Sequence, residues 1–413
     1  MLKKITGMFL IFLTVLALGT FLLAVVYLLP TVPMKEHVRE SLDSFMAEGD
    51  NPFLLNGYKG SSLDNSTDAI MLGNAVFESE QPFYKSAMLV ERAKDEEGDT
   101  MVALQKYILE DDRHLTGDYS RYWHGYLIFL KPLLLVLNFG QIRILNGMFF
   151  FVILALNLFG FLRSGRWRGC IAFLFAVAGL YPMVIPYSLQ YSGMFYVGLT
   201  ATAVILYKSR RMEEKKLWES FFLVTGMCAS YLDFLTYPLF TLGMPLVLCI
   251  VYEKHELKKL IGNCICWACG YFGMWMGKWA IGSCLTGENL WIKALETANL
   301  RVSGAVNEEH ISRVMAILRN FYIYAGVLGI LLFVIIIIWL LSGMRRYRKE
   351  VTVRNLLPLC MAACMPIVWY LLLANHSYIH YWYTFRILTV SIFAVAMVPE
   401  YLYQKQMQPD IRS

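Results

Sequence analysis

Residues Ile5–Leu29, with the sequence ITGMFLIFLTVLALGTFLLAVVYLL, indicate the fold class. This stretch exceeds the roughly 20 apolar residues that a helix needs to cross a bilayer. Lys3 and Lys4 precede it, and no small-residue cleavage site follows it. We therefore interpret it as an uncleaved membrane anchor rather than a signal peptide, with the N-terminus in the cytoplasm.

The composition of the 413-residue chain agrees with a membrane protein, because 57% of its residues are apolar and only 16% are charged. Soluble domains carry about 25% charged residues, and no soluble fold can bury so much apolar surface. This excludes a cytosolic enzyme, a disordered protein and a nucleic-acid partner. The net charge of +6 is not a nucleic-acid signal, because the location of basic residues in a membrane protein matters more than their sum.

Nine further apolar segments follow a long polar stretch, so the sequence predicts an all-α polytopic protein with about ten transmembrane helices. The nine segments are 143–162, 170–186, 193–207, 218–234, 236–252, 260–282, 320–342, 355–374 and 386–404. With the N-terminus inside, the loops 163–169, 208–217, 253–259 and 343–354 should face the cytoplasm, and each is rich in Lys and Arg. The positive-inside rule therefore predicts a multi-pass protein of the cell membrane with both termini cytoplasmic.

The spans divide the chain into four expected regions. These are a first anchor (1–30), an extracytoplasmic loop subdomain with an interfacial helix (31–141), a nine-helix membrane bundle (142–404) and a cytoplasmic tail (405–413). Tyr122–Leu137 is apolar but short, and Lys131 and Pro132 interrupt it. A span here would reverse every later loop, so we interpret it as an interfacial or re-entrant helix on the outer leaflet.

The first loop is polar, acid-rich and free of cysteine, so no disulfide closes it. Apolar residues at helical spacing in Val38–Met46 and Met101–Leu109 predict two helices. Asp64 and Asp68 stand four residues apart where a third helix would begin. Asp64 is either a helix cap or, like Asp68, a carboxylate held near the membrane as a general base or metal ligand. Two carboxylates near a phosphate could hold Mg²⁺ or Mn²⁺, although the sequence demands neither.

Polar side chains embedded among aromatic residues gather at the predicted outer ends of the spans. Ionisable groups at such positions are costly and point to function. The candidate binding residues are Arg121, Trp123, His124, Gln190, Tyr191, Asp233, Lys278, His376, His380 and Arg386. Each alone has a structural explanation, such as an aromatic belt, snorkelling to headgroups or an ion pair. Together they predict a ligand cavity in the outer leaflet.

Two further patterns suggest metal binding only superficially. His376 and His380 have the spacing of a metal pair on a helix, but no third ligand is identifiable, so we do not expect zinc. Cys264, Cys266 and Cys269 fall in an apolar helix without His or carboxylate neighbours. We interpret these cysteines as small residues that pack against other helices.

The layout resembles the GT-C superfamily of polytopic glycosyltransferases. The shared features are the inside N-terminus, the single span, the long outer loop with an acidic motif from Asp64 to Asp68, and the interfacial helix before the second span. Lys278 and Arg386 at later outer ends also fit. In that superfamily the catalytic acidic residue of the first loop often belongs to an adjacent pair, whereas three residues separate the two Asp here. The resemblance is one of architecture and includes no diagnostic motif.

The resemblance implies transfer of a sugar from a polyprenyl-phosphate donor, whose tail lies among the membrane lipids, to an extracytoplasmic acceptor. Asp64 or Asp68 would accept the proton of the acceptor. Cations would stabilise the departing phosphate, and aromatic rings would stack on the sugar. The expected cations are Arg386, Lys278 and Arg121, and the expected rings are those of Trp123, Tyr191 and Trp382.

Three other functions are open at this point. A transporter or flippase of a lipid-linked sugar, or of a similar amphipathic solute, predicts broken helices and polar residues at the bilayer midplane. The charges here cluster at the outer ends, which favours a one-sided site. An O-antigen-type polymerase or ligase typically has its large outer loop late in the chain. A non-catalytic scaffold gives the outer charges no reason to converge.

Overall fold

The computed structural model describes residues 2–306 and 309–407, and this part of the chain is almost entirely helical. In chain order the helices are α1 (Leu2–Val26), α2 (Thr31–Glu48), α3 (Asn65–Val76), α4 (Phe83–Leu89), α5 (Thr100–Glu110), α6 (Leu127–Leu134), α7 (Phe139–Arg163), α8 (Trp167–Gly179), α9 (Leu189–Glu214), α10 (Trp218–Leu232), α11 (Leu239–Val251), α12 (Leu257–Thr286), α13 (Leu290–Val302), α14 (Arg313–Tyr322), α15 (Val327–Arg346), α16 (Val353–Leu372), α17 (Ala374–Ile379), α18 (Tyr381–Thr384), α19 (Thr389–Ala396) and α20 (Val398–Met407). Two short antiparallel pairs join β1 (Arg92–Ala93) to β2 (Thr116–Gly117) and β3 (Ala305–Val306) to β4 (Glu309–His310).

Six helices in the described ranges are long and apolar enough to cross a membrane. They are α1, α7, α9, α15, α16 and the run Tyr381–Met407 that contains α18 to α20. Helices α8 and α11 are apolar but shorter. Each of the ten apolar segments of the sequence contains a helix, so the prediction of an all-helical chain is confirmed, and the six long apolar helices are compatible with a helical membrane protein. The count of ten spans stays a prediction.

Contacts between helix ends define two ends of the bundle. Lys4 in α1 pairs with Glu219 in α10 at 2.6 Å, and Lys259 in α12 pairs with Glu213 in α9 at 2.7 Å. These ion pairs gather the N-terminal segment and the loops at 208–217 and 253–259 at one end, which we call the basic end. The opposite end, where the segment between α1 and α7 folds against the bundle, is called the loop end.

Helices α10 and α12 approach each other closely through two glycines. A Cβ on Gly226 would lie 2.1 Å from the carbonyl oxygen of Trp267, and a Cβ on Gly270 would lie 2.1 Å from the carbonyl oxygen of Leu223. Small residues that let two backbones touch are typical of helix pairs in membranes. The crossing fixes the loop-end termini of both helices, where two of the predicted site residues lie.

The first loop folds as a small helical subdomain. Both helices expected from apolar spacing are present, as α2 and α5, and the third begins at Asn65 as α3. The carboxylate of Asp64 caps α3 by accepting the backbone N–H of Thr67 at 3.0 Å. Met34 of α2 and Leu72 of α3 are fully buried in its apolar core.

The predicted interfacial helix is shorter than its apolar stretch. It forms only over the eight residues of α6, too few to cross a bilayer. His124 has a φ of 55°, a left-handed conformation that a helix cannot contain, so α6 begins after it. Lys131 is buried, and its Nζ donates to the carbonyl oxygen of Ala75 at 2.6 Å, which ties α6 to the end of α3.

Irregular backbone is buried at the loop end. Residues 233–238 connect α10 to α11, and Leu235 there has a φ of 66°. A 3₁₀ turn, Phe385–Leu388, interrupts the last span between α18 and α19. Buried irregular backbone in a membrane protein occurs where it is covered by protein or lines a cavity. Both breaks contribute residues to the site.

Candidate functional site

Asp68 fastens the first loop to the bundle. Its buried carboxylate accepts the backbone N–H groups of Leu189 at 3.1 Å and Gln190 at 3.2 Å. The first amides of a helix lack intrahelical partners, and the helix dipole favours a negative charge beside them. Burial raises the pKa of Asp68 to about 7, although the positive charge of Arg143 and the two amide hydrogen bonds act to lower this pKa. Both oxygens of Asp68 therefore accept hydrogen bonds from the first turn of α9.

Arg143, which the sequence analysis did not select, supports the start of α3. Its Nη1 pairs with Glu48 at 2.6 Å, and its Nη2 donates to the side-chain oxygen of Asn65 at 3.0 Å. A lone Arg in the first turn of a predicted span was the only signal for it. These contacts hold the residue that follows Asp64.

Arg386 is a fully buried cation without a carboxylate partner among the described residues. Its guanidinium carbon lies 4.0 Å from the ring centroid of Tyr191. Its Nη atoms donate to the carbonyl oxygens of Gly60 and Trp382, both at 3.1 Å. Its Nε is buried and has no hydrogen-bond partner in the described part of the chain. The carbonyls and the ring orient the guanidinium but do not neutralise it.

Asp64 lies within the electrostatic reach of Arg386. The residue is 4% exposed. Burial raises the pKa of Asp64 above its usual range, while hydrogen bonds from Thr67 and the charge of Arg386 act in the opposite direction. The cap uses only the Oδ1 atom of Asp64. A buried carboxylate and a buried guanidinium thus share one neighbourhood without forming a direct ion pair.

His376 and His380 form a pair whose ring centroids are 4.9 Å apart. The Nε2 of His376 lies 2.7 Å from the carbonyl oxygen of Leu235, so this nitrogen donates its proton. The Nε2 of His380 lies 3.1 Å from Nη1 of Arg301, which can only donate, so the proton of His380 is assigned to Nδ1.

Both Nδ1 atoms of this pair are buried and have no partner among the described residues. Burial lowers the pKa of both His376 and His380 below the ordinary histidine value, so both rings are neutral at physiological pH. The pair therefore presents one acceptor, on His376, and one donor, on His380.

Tyr383 connects the histidines with the charged cluster. Its ring stacks on His380 at 5.1 Å and lies 6.5 Å from the ring of Tyr191. The carboxylate of Asp64 and the guanidinium of Arg301 both act electrostatically on its hydroxyl group. Asp64 and Arg301, which are far apart in the sequence, thus lie within electrostatic range of the same aromatic side chain.

Two predicted binding residues carry unpartnered acceptors. The Oδ1 atom of Asp233 accepts hydrogen bonds from the backbone N–H of Thr236, at 2.9 Å, and from the hydroxyl of Thr236. The Oδ2 atom of Asp233 is buried and has no partner in the described ranges. The Oε1 of Gln190 is buried without a partner as well. Buried polar groups are nearly always hydrogen-bonded. These two buried acceptors are therefore candidate positions for a hydrogen bond from a polar ligand or from water.

Arg121 and His124 belong to an aromatic cluster beside this layer. The guanidinium of Arg121 lies 4.4 Å from the ring centroid of Tyr119. His124 contacts the carbonyl oxygen of Tyr119 through Nε2 at 2.7 Å, and its ring lies 5.0 Å from that of Phe234. Burial holds the pKa of His124 well below its ordinary value, so the ring is neutral.

Lys278 and Trp123 have structural contacts. The Nζ of Lys278 donates to the carbonyl oxygen of Met88 at 2.8 Å, at the end of α4, where a cation is favoured by the helix dipole. The indole of Trp123 donates to the carbonyl oxygen of Met274 at 2.7 Å and lies 5.5 Å from Lys278. The amine of Lys278 is thus used by the first loop rather than presented to Arg386.

The described residues contain no group of three His, Cys, Asp or Glu side chains that could hold a metal ion. Cys264, Cys266 and Cys269 lie on α12 as free thiols. His376 and His380 meet without a third ligand.

Arg301 and Tyr383 are the main site residues that sequence reasoning missed. Arg301 lies near the end of α13, in a segment expected to face outward. Arg301 could have been found as a basic residue in a segment predicted to lie outside, because the positive-inside rule leaves few Lys and Arg residues on that side. Tyr383 gave no signal, because it is one of several aromatics in a row.

No protein-family model, no curated protein and no solved structure matches this chain. The candidate site is characterised by its own contacts: a buried cation without a carboxylate partner in the described ranges, a buried carboxylate in the field of that cation, and a pair of neutral histidines.

Proposed function

We propose that this chain is a membrane glycosyltransferase that moves a sugar from a polyprenyl-phosphate donor to an extracytoplasmic acceptor. The observation that carries the proposal is the fully buried Arg386, whose charge acts on the buried carboxylate of Asp64. A buried charge without an ion pair is costly, especially in a membrane protein. Such a cation persists where it binds an anionic ligand, and the polyprenyl-phosphate donor supplies one at the level of the headgroups.

The proposal includes ten spans, with the loop end on the outer side of the cell membrane and both termini in the cytoplasm. The gathering of basic loops at the basic end supports this orientation, because positive residues accumulate on the cytoplasmic side. The ion pairs of Lys4 with Glu219 and of Lys259 with Glu213 join termini that this topology assigns to the same side.

Arg386 stabilises the leaving phosphate. A planar guanidinium matches the geometry of phosphate oxygens, and preorganised donors stabilise charge as it develops in the transition state. Gly60, Trp382 and the ring of Tyr191 hold this guanidinium in place before the substrate arrives. Arg301 is a second cation on the histidine side.

Asp64 is the general base. Its raised pKa moves it toward the operating pH, which favours proton transfer. The carboxylate takes the proton of the acceptor hydroxyl as the acceptor oxygen bonds to the anomeric carbon. The bond from that carbon to the phosphate oxygen breaks, and its electron pair leaves with the phosphate beside Arg386. Asp68, whose two oxygens serve α9, acts as a positioning residue rather than as the base.

The neutral histidine pair fits a sugar. Each sugar hydroxyl both donates and accepts, and the pair offers an acceptor on His376 and a donor on His380. The unpartnered Oδ2 of Asp233 adds an acceptor on the segment that also bonds His376. The ring of Tyr383 beside His380 provides an apolar surface for the sugar C–H groups. No Mg²⁺ or Mn²⁺ ion is needed for these roles.

A transporter or flippase of a lipid-linked sugar is the second candidate. The observation that favours it is the buried irregular backbone at 233–238 and at Phe385–Leu388, since broken helices line the binding sites of many transporters. Such a protein would move the lipid-linked sugar across the bilayer without changing it chemically.

One experiment separates the two candidates. The full chain, reconstituted in vesicles, receives radiolabelled polyprenyl-phosphate hexoses. An extract from cells that lack this protein supplies the acceptor. A transferase moves label from the organic to the aqueous or acceptor fraction and leaves polyprenyl phosphate. Movement of label between leaflets without any chemical change overturns the transferase and supports the flippase.

A further inference from the structure

A cationic surface cluster lies at the loop end, outside the site described above. The Nζ of Lys59 donates to the hydroxyl of Tyr381 at 2.9 Å. The guanidinium carbon of Arg319 lies 4.3 Å from the ring centroid of Tyr381 and 4.4 Å from that of Tyr378. Neither Lys59 nor Arg319 forms an ion pair with any carboxylate that the structure describes. The cluster therefore presents two positive charges without internal compensation.

An apolar groove of about 290 Å³ begins at the same Arg319. Its other walls are Met315, Leu318 and Tyr322 of α14 and the ring of Tyr378. Leu318 is 55% exposed and Tyr322 is 63% exposed, so α14 turns apolar side chains outward. A helix with such a face beside membrane spans lies in the interfacial layer. The groove is near the lower limit of ligand pockets, about 300 Å³, and suits part of a hydrocarbon chain.

We propose that the cluster and the groove form a binding site for an anionic phospholipid. Its phosphate lies between Lys59 and Arg319, and one acyl chain lies along α14. Two uncompensated cations match an anionic headgroup, and Arg in particular matches phosphate oxygens. The adjoining groove is apolar, as an acyl chain requires. This site does not depend on the proposed glycosyl transfer.

The bound lipid would also order the buried cation Arg386. Arg386 is held by the carbonyl oxygens of Gly60 and Trp382. The residues directly before these two in the chain are Lys59 and Tyr381. A headgroup that bridges Lys59 and Arg319 across Tyr381 therefore fixes both backbone segments. The site couples the lipid composition of the surrounding leaflet to the geometry around Arg386.

The test measures lipid binding by native mass spectrometry of the full chain in detergent. The probes are phosphatidylglycerol, phosphatidylcholine and a polyprenyl monophosphate. We expect phosphatidylglycerol to bind more tightly than phosphatidylcholine, and the K59A/R319Q variant to bind phosphatidylglycerol about tenfold more weakly. The charge-preserving K59R/R319K variant should retain most of the binding, which separates charge loss from misfolding.

The matched control is K208A/R211Q, which removes two exposed cations near the other end of α9. It should bind phosphatidylglycerol as the unchanged chain does. Equal binding by K59A/R319Q and the unchanged chain overturns the site, as does an equal loss in the control. The proposal is also overturned if K59A/R319Q loses binding of polyprenyl monophosphate but not of phosphatidylglycerol, because the occupant is then a different lipid.

Discussion

The carboxylate of Asp68 accepts the backbone N–H of Leu189 at 3.1 Å, and this bond joins the first loop to the first turn of α9. Two residues later in that turn, the ring of Tyr191 lies against Arg386. One turn before Asp68 on its own helix, Asp64 lies in the field of the same guanidinium. The docking of the first turn of α9 on Asp68 therefore fixes the position of Asp64 relative to Arg386.

Substitution of Asp68 by Ala should loosen the first loop. The change leaves the N–H groups of Leu189 and Gln190 without their acceptor and should lower the free energy of unfolding by about 1–2 kcal/mol. Thermal unfolding of the purified chain in detergent measures the loss. Asp43→Ala, at an exposed position of α2, is the control. An unchanged midpoint for Asp68→Ala would show that the docking bond is dispensable.

Asp68 should also make stability depend on pH. The pKa of Asp68 is about 7 in the folded chain, against 3.8 for an unperturbed aspartate in the unfolded chain, so between these pH values the folded state binds more protons than the unfolded state. Its contribution is therefore full below about pH 4 and is lost as the pH rises through about 7. The difference in unfolding midpoint between the unchanged chain and Asp68→Asn should shrink from pH 5 to pH 8. A constant difference contradicts the raised pKa.

The sequence predicted much of the framework because its signals are local. Apolar runs located a helix in each of the ten segments, and apolar spacing located α2 and α5. The cap at Asp64 followed from its position one residue before a helix start. The concentration of polar groups at one end was also predictable, since buried charges in spans are rare and conspicuous.

The pairing of site residues was not predictable, because it depends on tertiary contacts. The sequence did not distinguish Asp64 from Asp68 as the candidate base, yet in the structure both oxygens of Asp68 accept backbone N–H groups of α9. Lys278 looked like a partner of Arg386, but its amine bonds the end of α4. Arg301 reaches His380 because α13 packs against α17, which lies far along the chain.

Gly60 should be intolerant of a side chain. A Cβ at this position would lie 2.6 Å from two ring carbons of Tyr181, so Gly60→Ala should shift the turn that holds Arg386. We expect a loss of about 1–3 kcal/mol in the free energy of unfolding together with reduced transfer. Gly262→Ala, whose Cβ meets no atom within 4 Å, is the control. Equal behaviour of the two variants in unfolding and transfer would contradict this role of Gly60.

The crossing of α10 and α12 should depend on its two glycines. A Cβ on Gly226 or Gly270 would lie 2.1 Å from a carbonyl oxygen of the facing helix, so Ala at either position should separate the helices. The free energy of unfolding should fall by about 1–3 kcal/mol, measured as the thermal midpoint in detergent. Gly7→Ala in α1, where a Cβ meets nothing within 4 Å, should have no effect. Midpoints unchanged in both crossing variants would show that the helices are not so close.

The most direct test of the account is the rate of label transfer from a polyprenyl-phosphate hexose by Asp64→Asn. The control is Asp43→Asn, which removes the same charge from an exposed position of the same loop. Loss of a general base should lower the rate by roughly 10²–10⁴-fold, while the unfolding midpoint and donor binding stay close to those of the unchanged chain. Full transfer by Asp64→Asn, or an equal loss in Asp43→Asn, would contradict the assignment of Asp64 as the base.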